Sequence, residues 1–202
     1  IPAEPLFRSD SVLLDRDLES LAVNRVVLDN ESACRQAVQR LVEGGYRRVE
    51  MISYDMAVSN IAHREAGYRA EMAALGLEEV VKVHRVSYGD VHHAMDACLS
   101  NINFEETDAL IFATNTLSVA GVKALHRKGL ALPRKIGMVA FDGSEAFDLY
   151  PTSIAYIQQP VGQFAHEALL RVIRCINHPN EPAATLVLAP TFVDGDSVRR
   201  KE

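Results

Sequence analysis

The chain has 202 residues, 48% of them hydrophobic and 6% aromatic, with no tryptophan; this suits one large or two small α/β units and names no function. Its formal net charge is −6 and its isoelectric point about 5.7, so no long-range positive field gathers phosphate backbones onto this surface. If the whole protein binds DNA, other residues hold it.

The basic clusters Arg47-Arg48 and Arg199-Arg200-Lys201 read as solvated faces. Cys34, Cys98 and Cys175 fall on the apolar sides of helical patterns and lack metal-ligand spacing, as expected of core hydrophobes in a reducing compartment. No apolar run is long enough to span a bilayer. The start, Ile1-Pro2-Ala3-Glu4-Pro5, has no signal-peptide character and no initiator methionine, so the expectation is a piece of something longer.

In chain order, Val12-Leu13-Leu14 and Val26-Val27-Leu28 read as short strands, each closed by an aspartate, Asp15 and Asp29. Ala33, Cys34, Ala37, Val38, Leu41 and Val42 recur at helical spacing until Gly44-Gly45 stops them. A strand at 49–52, a helix over 61–75 ending at Gly76, and a strand at 80–86 follow. Val91, Ala94, Met95, Cys98, Leu99 and Ile102 form one helical stripe. Next come a strand at 109–112, a helix over 117–128 stopped by Gly129, and a strand at 136–141. A second strand then ends in Gln158-Gln159-Pro160, a helix covers 164–176, and a final strand covers 185–188.

Strands separated by helices require crossover connections, so the fold class is α/β with doubly wound parallel sheets whose strands are buried on both sides. Ligands of such sheets are met beyond the carboxyl ends of the strands. Asp142 and Asn115 each follow a strand, and the loop from Tyr54 to Asn60 leads into Arg64 on the same rim. The expectation is that Arg64, Asn115 and Asp142 converge there. Phosphate-cradling glycine patterns, a nucleophile elbow and a metalloprotease motif are all missing, and no cofactor or metal is expected. Gly195-Asp196-Ser197 lies too near the end to serve as a nucleophile turn. His92 and His93 are helix neighbours whose side chains diverge by about 100°, which suits solvated surface rather than a metal.

An arginine fork, an asparagine, a carboxylate and glutamines suit the vicinal hydroxyls of a sugar, bound without being transformed. Each has a bland alternative. Asn115 is otherwise a helix N-cap, Asp142 otherwise caps the turn at Ser144, Gln159 otherwise only fixes a crossover, and His63 is otherwise surface.

The ordered set "VVLDN" (26–30), "LVEGGYRRVEMIS" (41–53), "HREAGYRAEMAALGL" (63–77), "DALIFATNTLSVAGVKALHRKGLALPRKIGMVAFDG" (108–143) and "PTSIAYIQQPVGQFAHEAL" (151–169) resembles the effector-binding core of LacI/GalR-type (lactose-repressor family) transcription regulators. The resemblance implies a fold like periplasmic sugar-binding proteins, with two lobes joined by three crossings, near 29–31, near 157–160 and shortly after Leu188. It divides the chain into an incomplete amino-terminal lobe, 1–29 plus 159–187, and an effector-binding lobe, 30–158 plus 188–202. Carried over, the ligand residues are Arg64, with Gly67 and Tyr68 behind it, Asn115, Asp142 and Gln159; Asn60, His63, Thr116 and Tyr88 complete the candidate set. Thr116 and Gly143 stand where the family usually carries acids, and "FVDGDSV" (192–198) lacks the usual preceding arginine.

The partners so implied are a small carbohydrate effector, operator DNA through a helix-turn-helix headpiece outside this chain, and a second copy in a cytoplasmic homodimer, with no membrane. Lobe rearrangement on effector binding would control DNA binding. The alternatives are a sugar-binding component of a transporter and, from another class, an enzyme using Asp142 with His63. With the amino-terminal lobe incomplete, the helix over 161–176 should bear an apolar stripe, Phe164, Leu169, Val172 and Ile173, that residues 1–202 do not fully cover.

Overall fold

The computed structural model describes residues 11–16 and 22–199; the opening residues 1–10 and the basic Arg200-Lys201 tail, on which part of the sequence reading fell, lie outside them. In chain order the elements are β1 (Val12–Leu14), β2 (Asn24–Leu28), α1 (Asn30–Glu43), β3 (Val49–Tyr54), α2 (Ser59–Ala74), β4 (Lys82–Val86), α3 (Val91–Ser100), β5 (Ala109–Phe112), α4 (Asn115–Arg127), β6 (Gly137–Phe141), β7 (Ala155–Gln158), α5 (Val161–Asn177), β8 (Thr185–Leu188) and β9 (Thr191–Val193). β1, β2 and β8 form one parallel sheet in that order, and the other strands form a second in the order β4-β3-β5-β6-β7-β9.

The second sheet carries the core. Along β3 and β5 successive side chains alternate between faces, so Met51 and Ile111 join Val38, Leu41, Tyr68 and Met72 under α1 and α2. Ile52, Leu110 and Phe112 join Met95, Leu99 and Leu125 under α3 and α4. Apolar groups are needed on both sides, which is why these strands read as unbroken hydrophobic runs. Helix α1 ends as the glycine pair requires: Gly44 caps it and Gly45 takes the left-handed backbone, φ 94°.

Among the described strands one departs from the parallel arrangement, and the sequence reading missed it: β9 pairs antiparallel with β7, Ile157 opposite Phe192. The chain leaves β8 in the first sheet and enters the second through Ala189-Pro190, arriving from the opposite end, so no crossover helix is needed. It also passes between the sheets from β2 to α1 and from β7 to α5.

Helix α5 packs on β1 and β2, burying Phe164 and Cys175. Of the stripe expected to be left open, Leu169 is 60% exposed and Ile173 is exposed, with Leu170 and Ile176 beside them, whereas Val172 is half-buried and Phe164, contrary to the expectation, is buried.

Candidate functional site

Asp15 and Asp142 occupy equivalent places, each directly after the last residue of a strand, β1 and β6. Both adopt left-handed backbone, φ 54° and 61°, which aspartate tolerates better than bulky or β-branched residues. Each closes its ladder by donating its N–H to the neighbouring strand, Asp15 to the Val26 carbonyl at 2.9 Å and Asp142 to the Ile157 carbonyl at 2.8 Å.

Between them lies Arg64, one turn into α2 and only 3% exposed. Its guanidinium stacks over the Phe141 ring, 3.6 Å from the centroid. Nε donates to Asn30 Oδ1 at 2.7 Å and Nη1 to the Ala113 carbonyl at 2.8 Å, while Nη2 has no hydrogen bond among the described residues. Burial pulls the Arg64 pKa down and Cys34, Asp15 and Asp142 act against it; a guanidinium stays charged throughout. Burial raises the Asp15 pKa, opposed by the Arg64 charge and the Asn60 hydrogen bond and reinforced by Asp142. Asp15 Oδ1 is buried without a partner among the described residues.

The carboxyl edges of the two sheets meet at this point. Asn60, in the first turn of α2, donates Nδ2 to Asp15 Oδ2 at 3.2 Å, linking the second sheet to the first. Asp142 accepts from the Gln159 backbone N–H at 3.2 Å on Oδ1 and from Gln159 Nε2 at 2.6 Å on Oδ2. Asn115 Nδ2 donates to the Gly143 carbonyl at 3.1 Å, tying the turn after β6 to the start of α4.

The structure therefore gathers Arg64, Asn115, Asp142, Gln159 and Asn60 on one rim. The capping alternatives resolve differently for each. Thr114, not Asn115, caps α4, its hydroxyl accepting from the Leu117 N–H at 3.3 Å. The Asp142 carboxylate holds Gln159, while the turn at Ser144 is capped by its own hydroxyl. Gln159 does fix the crossover, through Asp142. Tyr88 lies at a second place on the same rim, where it packs edge-on against Tyr54 with ring centroids 5.3 Å apart, and Thr116 follows Asn115 in the first turn of α4. His63 is exposed on α2, outside both groups.

Sequence reasoning missed Asp15, Asn30 and Phe141 as parts of the site. Asp15 carried the signal that marked Asp142, an aspartate closing an apolar strand. Asn30 and Phe141 become site residues only through Arg64, which lies 34 positions from Asn30 in sequence.

With both carboxylate oxygens of Asp142 on Gln159 and His63 elsewhere, these two residues do not form an acid–base pair. Ser197 is buried between strands, its hydroxyl donating to the Met138 carbonyl at 2.7 Å and accepting from the Ala155 N–H at 2.8 Å, a structural staple. Among the described residues no group of His, Cys, Asp and Glu is arranged to hold a metal, and no helix is long and apolar enough to cross a membrane. What the rim presents is a guanidinium nitrogen with no hydrogen bond among the described residues, within the field of two carboxylates, a donor and acceptors at the meeting edges of two sheets.

A sequence profile of the periplasmic binding protein-like domain matches residues 38–198. The chain is 30% identical over 166 residues to the HTH-type transcriptional regulator CelR of Thermobifida fusca, a match covering 79% of this chain and 48% of that protein. It is 26% identical over 182 residues to the HTH-type transcriptional regulator KdgR of Bacillus subtilis, covering 88% and 53%. The chain thus spans about half the length of the curated relatives it matches. The structure of the transcriptional regulator CelR–cellobiose complex superposes with a TM-score of 0.79 at 25% identity, over 92% of this chain and 58% of the other. By the extent of the profile match, the chain belongs to the periplasmic binding protein-like domain family, with HTH-type transcriptional regulators among its relatives.

Proposed function

We propose that this chain is the effector-sensing core of a LacI-type transcriptional regulator, and that the rim around Arg64, Asp142 and Asp15 binds a small carbohydrate. The observation that carries this reading is Arg64, whose Nη2 has no hydrogen bond among the described residues, set in the field of two strand-end carboxylates where two sheets meet. Vicinal hydroxyls both donate and accept, and such a cluster offers both roles within reach of one ring. The relatives' names favour a regulator over a transport component, since those matched are HTH-type transcriptional regulators, and the CelR structure holds cellobiose. Nothing in the proposed role requires covalent chemistry.

In this reading residues 1–29 with 159–187 form one lobe and 30–158 with 188–202 the other, except that Leu188, the last residue of β8 and paired with Leu28 in the first sheet, goes with the first lobe. Operator DNA would be held by a helix-turn-helix headpiece in a cytoplasmic homodimer, with effector binding shifting the population of lobe arrangements. The test is a thermal-shift screen of sugars and sugar phosphates on the full-length protein, followed by operator titration with and without each hit. A sugar should raise the melting temperature by mass action and change operator affinity. Stabilisation by no sugar, or by a sugar that leaves operator affinity unchanged, overturns the proposal.

A further inference from the structure

The rim is longer than the Arg64 cluster. Asp142 and Gln159 lie at the ends of β6 and β7, whereas Tyr88 lies in the loop after β4, at the far edge of the same sheet. From β4 to β6 there are three interstrand steps, about 14 Å at the usual strand spacing. One pyranose ring seated on Arg64 and Asp142 does not reach that far.

The far group also has a different chemistry. Tyr88 is 68% exposed, and the ring it meets, Tyr54, is 5% exposed and stands at an interplanar angle of 66° to it. Tyr54 is the last residue of β3 and packs in the core under α3 and α4. Tyr88 is thus braced at its edge by a buried aromatic, and most of its surface is left to solvent on the ligand-facing edge of the sheet. An aromatic face of this kind is matched by a ring with an apolar C–H surface.

We propose that the effector is a two-ring carbohydrate, a disaccharide or comparable glycoside, with one ring held by hydrogen bonds at Arg64 and Asp142 and the second stacked on Tyr88. This deepens the reading of the rim as a carbohydrate site and rests on it.

The experiment is calorimetric titration of the full-length protein with cellobiose, lactose and maltose, with glucose, galactose and ribose, and with adenosine as a purine control, repeated on Tyr88→Ala and Tyr88→Phe. A disaccharide should bind at least tenfold more tightly than its component monosaccharides. Tyr88→Ala should remove about tenfold of the disaccharide's affinity and leave monosaccharide affinity unchanged, and Tyr88→Phe should retain the full affinity. Because Tyr88 is exposed, both variants should melt with the parent. A monosaccharide bound as tightly as any disaccharide, or a disaccharide indifferent to Tyr88→Ala, overturns the two-ring proposal while leaving the carbohydrate reading intact. Adenosine binding in preference to every sugar, or no sugar binding at all, overturns both.

Discussion

Replacing Asp142 by asparagine separates a ligand contact from a structural one. The carboxylate has about four acceptor sites, of which Gln159 occupies two, one through its backbone N–H at 3.2 Å and one through Nε2 at 2.6 Å. In Asp142→Asn the amide oxygen keeps the backbone bond, and Gln159 regains the second by turning its own amide to present Oε1 to the new NH2. Asparagine also tolerates the left-handed φ of 61°. The fold should therefore lose less than about 1 kcal/mol. On the ligand side, however, an acceptor oxygen has become a donor, and one hydroxyl meets the wrong partner in a desolvated cleft. That mismatch costs about 1–3 kcal/mol, roughly 5- to 150-fold in affinity. Calorimetric titration of a sugar hit, with the melting curve of the empty variant beside it, measures both effects. Unchanged affinity with a stability loss above about 2 kcal/mol would refute the reasoning and leave Asp142 as a brace for the crossover.

Further substitutions test the framework beneath the rim. Gly67→Ala should lower stability by about 1–3 kcal/mol by urea denaturation, because the added Cβ would lie 2.3 Å from the Glu31 carbonyl oxygen where α1 and α2 cross. Ser197→Ala should cost about 1–3 kcal/mol by the same assay, since it leaves the Ala155 N–H and the Met138 carbonyl without their hydroxyl partner. The pH dependence of the melting temperature should carry a Glu50 component. Burial opposes the charge on Glu50, but hydrogen bonds from His84, Thr107 and Lys82 outweigh it and hold the folded-state pKa below the ordinary value. The resulting stability is present above the unfolded glutamate pKa, about 4.3, and is lost as pH falls from there through the lower folded value. Glu50→Gln should flatten that part of the profile, and an unaltered acid limb would count against the assignment.

How much of this was legible in the sequence depended on range. The α/β alternation was readable because strands buried on both faces leave unbroken apolar runs, and Asp142 was readable because a charged residue at the end of such a run has to be at an edge. Strand β9 was not, since its three residues carry no period of their own and gain identity only by pairing with β7. The arginine was correctly placed and incompletely understood. The loop that leads from a strand end into Arg64, together with the family resemblance, put Arg64 at the rim, but only the fold shows that Asn30 and Ala113 take two of its three nitrogens, and that Phe141 supports the plane from below.

That fixation bears on how the site could signal. Arg64 belongs to α2, Asp142 to the turn after β6 and Asp15 to the turn after β1, so the three charges belong to segments anchored in different sheets. The arginine is immobilised by three contacts, two of them hydrogen bonds to fixed oxygens, whereas among the described residues the side chain of Asp15 is joined to the second sheet by one hydrogen bond, from Asn60 at 3.2 Å. A ligand shifts a conformational equilibrium only as far as it prefers one state over the other. Hydroxyls held at Arg64 and Asp142 alone would see the same partners in any lobe arrangement and would shift nothing. A hydroxyl that also reached Asp15 would sense the distance between the sheets, since its bond to a buried carboxylate oxygen that has no partner among the described residues would exist only when the edges are close. If the rim binds a sugar as proposed, Arg64 and Asp142 would govern affinity, and Asp15 would govern how much of that affinity becomes movement.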